Sequence, residues 1–367
     1  MHYRQPDMAN ASQFWLYHPN PLPDELLSSW LVRIAHGHNM KLQTFFRVAL
    51  GTAQALWFRD IDRQAPDWLI RALSEHTGAG LRQIRRTSLL DYKGVLYRRY
   101  RWSGHQYWLL PLNMIDTSYH HNGVQFCPHC LQEDKEPYFR KRWRVAFYTM
   151  CTRHQCMLHD QCPSCGAIVA FHRREMGKIG QVDAGLITQC HACDFDLREA
   201  KTGVPVIYDE SADLMWLPAL RMLEGESVGA CYNVGFFAVL HQLCKIMLTH
   251  YSHEHLQQFV AARIGAPEII LRPKHESFEY YSLEERHVVI QLAMWLLADP
   301  ETRIMDAWRN KAVRYNVLNK DFQPRPQWYR DIVERCADWR KAAKTTILDV
   351  KLGRKLTTRY RGAMKAL

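Results

Sequence analysis

Four residue pairs in the middle of this chain have the types and spacing of metal ligands: Cys127-x-x-Cys130, Cys151-x-x-His154, Cys162-x-x-Cys165 and Cys190-x-x-Cys193. A two-residue gap lets both side chains of a pair reach one ion from a tight turn. Two pairs then complete the tetrahedral shell that structural Zn²⁺ prefers. Sequential pairing gives two closed sites, one of three cysteines and a histidine and one of four cysteines, with residues 131–150 and 166–189 as the intervening loops. Interleaved pairing is the alternative, and His129, Cys156, His159 and His191 lie near enough to substitute as ligands. An isolated cysteine is more often a small buried hydrophobe. Cys231, Cys244 and Cys336 read that way, as core residues of helical stretches. The expected cofactors are two structural Zn²⁺ ions. They build the protein rather than perform its chemistry, because catalytic zinc keeps a coordination position open.

Other catalytic patterns are missing from the sequence. There is no G-x-x-x-x-G-K-[ST] phosphate loop, no dinucleotide fingerprint and no G-x-S-x-G elbow. Asp24, Asp116 and Glu285 do not have the spacing of a two-metal nuclease, so no enzymatic activity is expected.

Basic residues form the second set that could do chemistry, through phosphate contact. The chain carries a formal net charge of +11, which points toward polyanions without naming one. Arg82, Arg85 and Arg86 fall on one short predicted helix. Arg98, Arg99 and Arg101 interleave with Tyr97, Tyr100 and Trp102, a pattern suited to base stacking plus phosphate contact. Arg140, Lys141, Arg142 and Arg144 form a third cluster, and an extended strand would put Arg140, Arg142 and Arg144 on one face. From Arg340 onward the single acid is Asp349, and Arg354 and Lys355 lie in that basic tail. Arg82, Arg85, Arg86, Arg98, Arg99, Arg101, Arg140, Arg142, Arg354 and Lys355 are therefore the candidate contacts to nucleic acid or a partner. A solvated basic face is the competing reading of each cluster.

The elements that would position these residues follow from periodicity and breakers. Pro21-Leu22-Pro23 sets up a helix with Asp24 and Glu25 in its first turn, favourable at the positive end of the dipole, and an apolar stripe of Leu26, Leu27, Trp30, Leu31 and Ile34. Helices are expected at 41–50 and 66–76. The turn Thr77-Gly78-Ala79-Gly80 then leads into 81–90, an arrangement that fits a helix-turn-helix unit whose second helix carries the arginines. Residues 92–115 read as short strands. After Pro205, helices are expected at 214–223, 234–249, 253–264, 283–298, 301–315 and 326–343.

The expected fold is mainly α with small zinc-ribbon or zinc-finger elements. It divides into an extension at 1–20, a helix-turn-helix-like unit at 21–120, a double zinc module at 121–205, a helical domain at 206–340 and a basic helical tail at 341–367. No stretch of about 18 apolar residues exists, so no membrane span is expected. Met1 to Leu16 lacks the basic start and apolar stretch of a secretory signal. Cysteines at metal spacing suit a reducing compartment. A cytoplasmic, bacterial location is the expectation.

The stretch Pro21-Leu22-Pro23-Asp24-Glu25-Leu26-Leu27-Ser28-Ser29-Trp30-Leu31-Val32-Arg33 resembles the amino-terminal signature of the TniQ/TnsD transposition proteins. The resemblance continues at Phe126-Cys127-Pro128-His129-Cys130-Leu131, then at Asp134, Pro137-Tyr138, Arg140 and Trp143-Arg144. It runs on through Cys151-x-x-His154, Leu158 and Cys162-Pro163-Ser164-Cys165-Gly166. It spans about 20 to 195; the carboxy-terminal half matches nothing at motif level. It implies a targeting factor that selects an insertion site and recruits the AAA+ ATPase TnsC. The chain length resembles that of the TniQ of Cascade-linked elements, particularly subtype I-F. That likeness implies a homodimer docked on the crRNA-processing subunit of Cascade and the adjacent backbone subunit, with crRNA or DNA contact left open. The alternatives are a TnsD-like selector that reads DNA sequence itself, or a zinc-containing transcription factor.

Overall fold

The structure is a computed structural model that describes residues 14–51, 59–112, 114–115, 118–119, 121–173, 185–251, 255–274 and 276–337. Its helices gather into an amino-terminal group and a carboxy-terminal group, with the cysteine-rich segment packed between them.

The first helix, α1 (Leu27–Gly37), is buried from Leu27 through Ala35, so it is a central strut rather than an amphipathic surface helix. It starts later than the sequence suggests. Pro23 and Asp24 form a turn, with Asp24 at φ 58, and Glu25 pairs through its backbone with Arg140. Asp24 and Glu25 thus sit ahead of the first turn, where their carboxylates face arginines instead of the helix dipole. Next come α2 (Leu42–Leu50), stopped by Gly51 at φ 61, and α3 (Ile61–Gln64). In α4 (Asp67–Thr77) and α5 (Leu81–Arg85), Leu69, Ile70, Leu73 and Ile84 face the core. Gly78, in the left-handed region at φ 73, makes the turn between them.

The expected helix at 81–90 ends at Arg85. Thr87 and Ser88 donate their hydroxyls back to the carbonyls of Ile84 and Arg85, giving the chain an alternative to further helical bonds. A 3₁₀ turn at Leu89–Tyr92 follows. The expected strands over 92–115 are largely irregular backbone. Among the described residues this stretch reaches only the short antiparallel pair β1 (Met114–Ile115) and β2 (Ser118–Tyr119), plus isolated bridges such as Leu109 to Val145. Its apolar residues serve packing: Trp108, Leu109, Leu110 and Leu112 are all buried.

The middle segment contains α6 (Pro128–Glu133) and a hairpin of β3 (Met150–Cys151) and β4 (Cys156–Met157). Between them Lys141–Arg144 is a 3₁₀ turn, not the expected extended strand, so Arg140, Arg142 and Arg144 do not share a face.

The carboxy-terminal helices are α7 (Glu210–Leu223), α8 (Val234–Met247), α9 (Leu256–Ile264), α10 (Leu283–Ala298), α11 (Pro300–Arg309), α12 (Tyr315–Asn319) and α13 (Gln327–Glu334). The core helix of this group is α10, packed against α7, α8 and α9 and buried almost all round. Its start is fixed by a capping box, Ser282 with Glu285. The expected 301–315 helix is broken at Arg309, and Lys311 takes φ 62 in the turn before α12. Cys244 and Cys336 are buried as expected, whereas Cys231 is exposed, in the turn just ahead of α8. The basic tail, including Arg354 and Lys355, lies outside the described residues. No described helix is long and apolar enough to cross a membrane.

Hydrogen bonds tie the middle segment to these helices. Trp216 donates its indole N–H to the Phe147 carbonyl (3.2 Å), and from the preceding stretch Trp108 donates to the Phe237 carbonyl (3.2 Å). Arg286, fully buried on α10, donates to the Ala146 carbonyl (2.5 Å) and to Gln125 Oε1 (3.1 Å).

Candidate metal centres and the buried charge network

The structure joins the four pairs sequentially into two clusters: Cys127, Cys130, Cys151 and His154, and Cys162, Cys165, Cys190 and Cys193. In each, all donor atoms lie within 4.8 Å of one another. In the first, His154 Nδ1 is 3.4 Å from each of the sulfurs of Cys127, Cys130 and Cys151, and Cys130 Sγ is 3.7 Å from Cys151 Sγ. A tetrahedral zinc with bonds of about 2.3 Å to sulfur and about 2.0 Å to nitrogen sets S–S edges near 3.8 Å and S–N edges near 3.5 Å. The donors fit that shell.

Local backbone chemistry explains how each donor is aimed. Cys127 caps α6, with Pro128 in the first turn and the Cys130 amide donating to Cys127 Sγ (3.5 Å). Cys151 ends β3, and His154 lies in the turn to β4, closed by Gln155 at φ 49. Glu133, at the end of α6, places a carboxylate oxygen 3.1 Å from His154 Nε2. Such an outer carboxylate orients a ligating imidazole and fixes its tautomer. Cys156 Sγ is 3.7 Å from Cys127 Sγ but stands outside the mutual contact of the four donors.

The second cluster is built from two matching turns. Cys162 accepts from the Gly166 amide and donates its own to Ala167. Cys190 likewise accepts from Asp194 and donates to Phe195. Gly166 (φ 70) and Asp194 (φ 59) take the same left-handed position in the two turns. The sulfurs meet crosswise, Cys162 to Cys193 and Cys165 to Cys190, both at 3.7 Å. Cys162 and Cys190 are buried while Cys165 and Cys193 face outward, so this centre lies at the surface.

The arginine candidates separate. Arg82 and Arg85 are exposed on α5 and Arg86 is exposed at its C-cap, with Arg85 3.5 Å from Asp67, and Arg98, Arg99 and Arg101 are exposed on the following loop. Arg140 and Arg142 are interior. Arg140 pairs with Asp134 (2.7 Å) and lies over the Tyr138 ring; Arg142 pairs with Asp24 (2.8 Å). Arg144, fully buried, holds Asp60 (2.6 Å) and the Leu110 carbonyl. Arg140 and Arg142 are thus already matched with carboxylates and help to hold the fold.

Sequence reasoning missed the acids that complete this network. Glu25 accepts from Arg33 (2.7 Å), the Leu22 amide (2.8 Å) and the Ser29 hydroxyl (3.2 Å). Burial nevertheless pushes its carboxyl up to about 7, with Arg33 pulling the other way. Arg33 also reaches Glu136 (2.7 Å), and Ser29 accepts from the Phe139 amide (2.9 Å). Burial, reinforced by Asp60 and opposed by Arg144, pushes Asp62 up to about 6.

Residues 16–158 match the TniQ family model. No curated protein matches the chain. The TniQ-matching segment contains the whole first cluster and both ends of the Arg33 and Asp62 contacts, while the second cluster lies beyond it. Within this segment the signature residues Ser28, Ser29 and Arg33 are internal ties, not surface groups.

Proposed function

We propose that this protein is a non-catalytic transposition adaptor, a homodimer that links an RNA-guided Cascade complex to the AAA+ ATPase TnsC and so directs insertion beside the guide-specified target. The observation that carries this reading is the TniQ match over residues 16–158. The residue chemistry supports it: the most chemically capable side chains in the segment are committed to a closed four-donor cluster and buried ion pairs. Zn²⁺ held by these donors would supply folding free energy and a fixed geometry between the helical groups. Base pairing by a guide would leave such a protein needing interfaces more than a base-reading helix. The test is co-purification of the zinc-loaded protein with guide-loaded Cascade and, separately, with TnsC. Failure to bind either one overturns the reading.

The exposed arginines of α5 favour a second reading, a TnsD-like selector that recognises DNA sequence directly. A preferred duplex sequence, bound by the protein without any guide complex, would establish it.

A further inference from the structure

The loop after the 3₁₀ turn carries an exposed aromatic surface ringed by cations. Trp102 is 60% exposed and Tyr107 42% exposed. Arg98, Arg99 and Arg101 are all exposed, and no carboxylate of the described residues pairs with any of them. A single exposed tryptophan on a loose surface loop would be ordinary. This one stands on a ladder of rings: Tyr97, buried, is 6.0 Å from Tyr100, and Tyr100 is 5.1 Å from Trp102.

The loop is braced at both ends. Arg63 on α3 donates to the carbonyls of Arg101 (2.7 Å) and Gly104 (2.9 Å), and Gln64 donates to the carbonyl of Trp102. Buried Gln106 accepts from the Arg101 amide (2.8 Å). At the far end Tyr107 stacks on His241 (4.1 Å, 24°), and buried Glu279 accepts from the Trp108 amide (2.6 Å). The Arg101 guanidinium lies 5.3 Å from the Tyr107 ring. Fixing the loop in advance lowers the ordering cost of anything that lands on it.

We propose that the loop 97–107 is a landing platform for a single strand of nucleic acid, with Trp102 stacking on an unpaired base and Arg98, Arg99 and Arg101 meeting phosphates. Duplex bases keep their faces covered, so an exposed indole favours an unstacked strand. Arginine and aromatic side chains contact phosphates and base faces, which RNA and DNA share, so the platform takes either sugar. This goes beyond the adaptor reading and stands without it.

The test is fluorescence anisotropy of the zinc-loaded full chain with labelled oligo-U and oligo-dT of about 12 nucleotides, at several salt concentrations. Both strands are expected to bind with similar affinity, more tightly than a duplex of the same length. Affinity should fall with salt at a log–log slope of about −2, from three phosphate contacts on a single strand. Trp102→Ala should weaken binding roughly tenfold or more with an unchanged melting temperature, and Trp102→Phe should recover most of it. The triple variant Arg98→Ala/Arg99→Ala/Arg101→Ala should weaken both strands and flatten the salt slope. No binding at low salt, equal or tighter binding of duplex, a strong preference for one sugar, or Trp102→Ala binding as wild type would each overturn the proposal.

Discussion

Ser28 is bonded twice to Asp62: its amide donates to Oδ1 and its hydroxyl to Oδ2, both at 2.8 Å. The first turn of α1 is thereby fixed to α3, and Arg144 closes the other side of the same carboxylate at 3.3 Å. A serine that the sequence places in a family-like signature is in the structure a two-point clamp on a buried acid.

Removing that acid should be far worse than removing the hydroxyl. Asp62→Ala strips Ser28 of its acceptor and takes one carboxylate from the fully buried Arg144, which keeps its pair with Asp60. A buried donor left without its acceptor costs about 1–3 kcal/mol, and here both the Ser28 amide and its hydroxyl lose theirs. Ser28→Ala removes one side-chain hydrogen bond, at about 1 kcal/mol. Urea unfolding of the metal-loaded protein separates the two, and an Asp62→Ala variant within 0.5 kcal/mol of wild type would show the clamp to be idle.

The metal content should be two equivalents, and the centres should be lost independently. Cys151→Ser breaks the first shell while leaving the four cysteines of the second in their own turns. Elemental analysis should then find one equivalent, with a large drop in melting temperature, because binding at a structural zinc site is itself folding free energy. Two equivalents retained in Cys151→Ser would mean that Cys151 is not a required ligand, Cys156 beside Cys127 having taken its place.

How far the sequence showed these features depended on separation along the chain. The ligand pairs were legible because each is encoded within four residues, and sequential pairing was the simplest reading of their order. The bounds of α10 were legible for the same reason, since the apolar spacing over 283–298 and the Asp299-Pro300 stop are local signals. The roles of Arg140, Arg142 and Arg144 were not. Their carboxylates, Asp134, Asp24 and Asp60, sit on three different segments. Charge clustering alone cannot distinguish a surface patch from three separate buried pairs. Residues 92–112 misled through composition: aromatic and apolar residues favour strands, but here they pack a chain whose backbone bonds irregularly to 144–146.

His172 gives a pH dependence of definite sign. Burial, with Arg173 and His191 acting the same way, pushes its imidazole down to about 3. The unfolded chain protonates this group near pH 6.5, so between 6.5 and about 3 the unfolded state binds more protons. Stability from His172 is complete above pH 6.5 and is lost as the pH falls through that window. The slope is about 1.4 kcal/mol per pH unit. His172→Gln should therefore lose roughly 2 kcal/mol less than wild type between pH 6.5 and 5. Equal losses in urea unfolding at the two pH values would refute the assignment.

Glu133 offers the sharpest separation of metal chemistry from folding. Its carboxylate touches the far nitrogen of His154 but is half exposed, at 47%, and also meets the exposed Arg153 at 2.6 Å. No core contact depends on it. Glu133→Gln keeps the shape and removes the charge that orients and polarises the imidazole, so metal affinity at the first centre should fall about 10–100-fold. With zinc in excess the melting temperature should stay near that of wild type, because the site is then full in both proteins. In competition with a chelator, the variant should give up one equivalent early while the four-cysteine centre holds its own. A variant that releases both ions together with wild type would show that Glu133 does nothing for the metal, and that its position beside His154 is an exposed ion pair of the ordinary, weak kind.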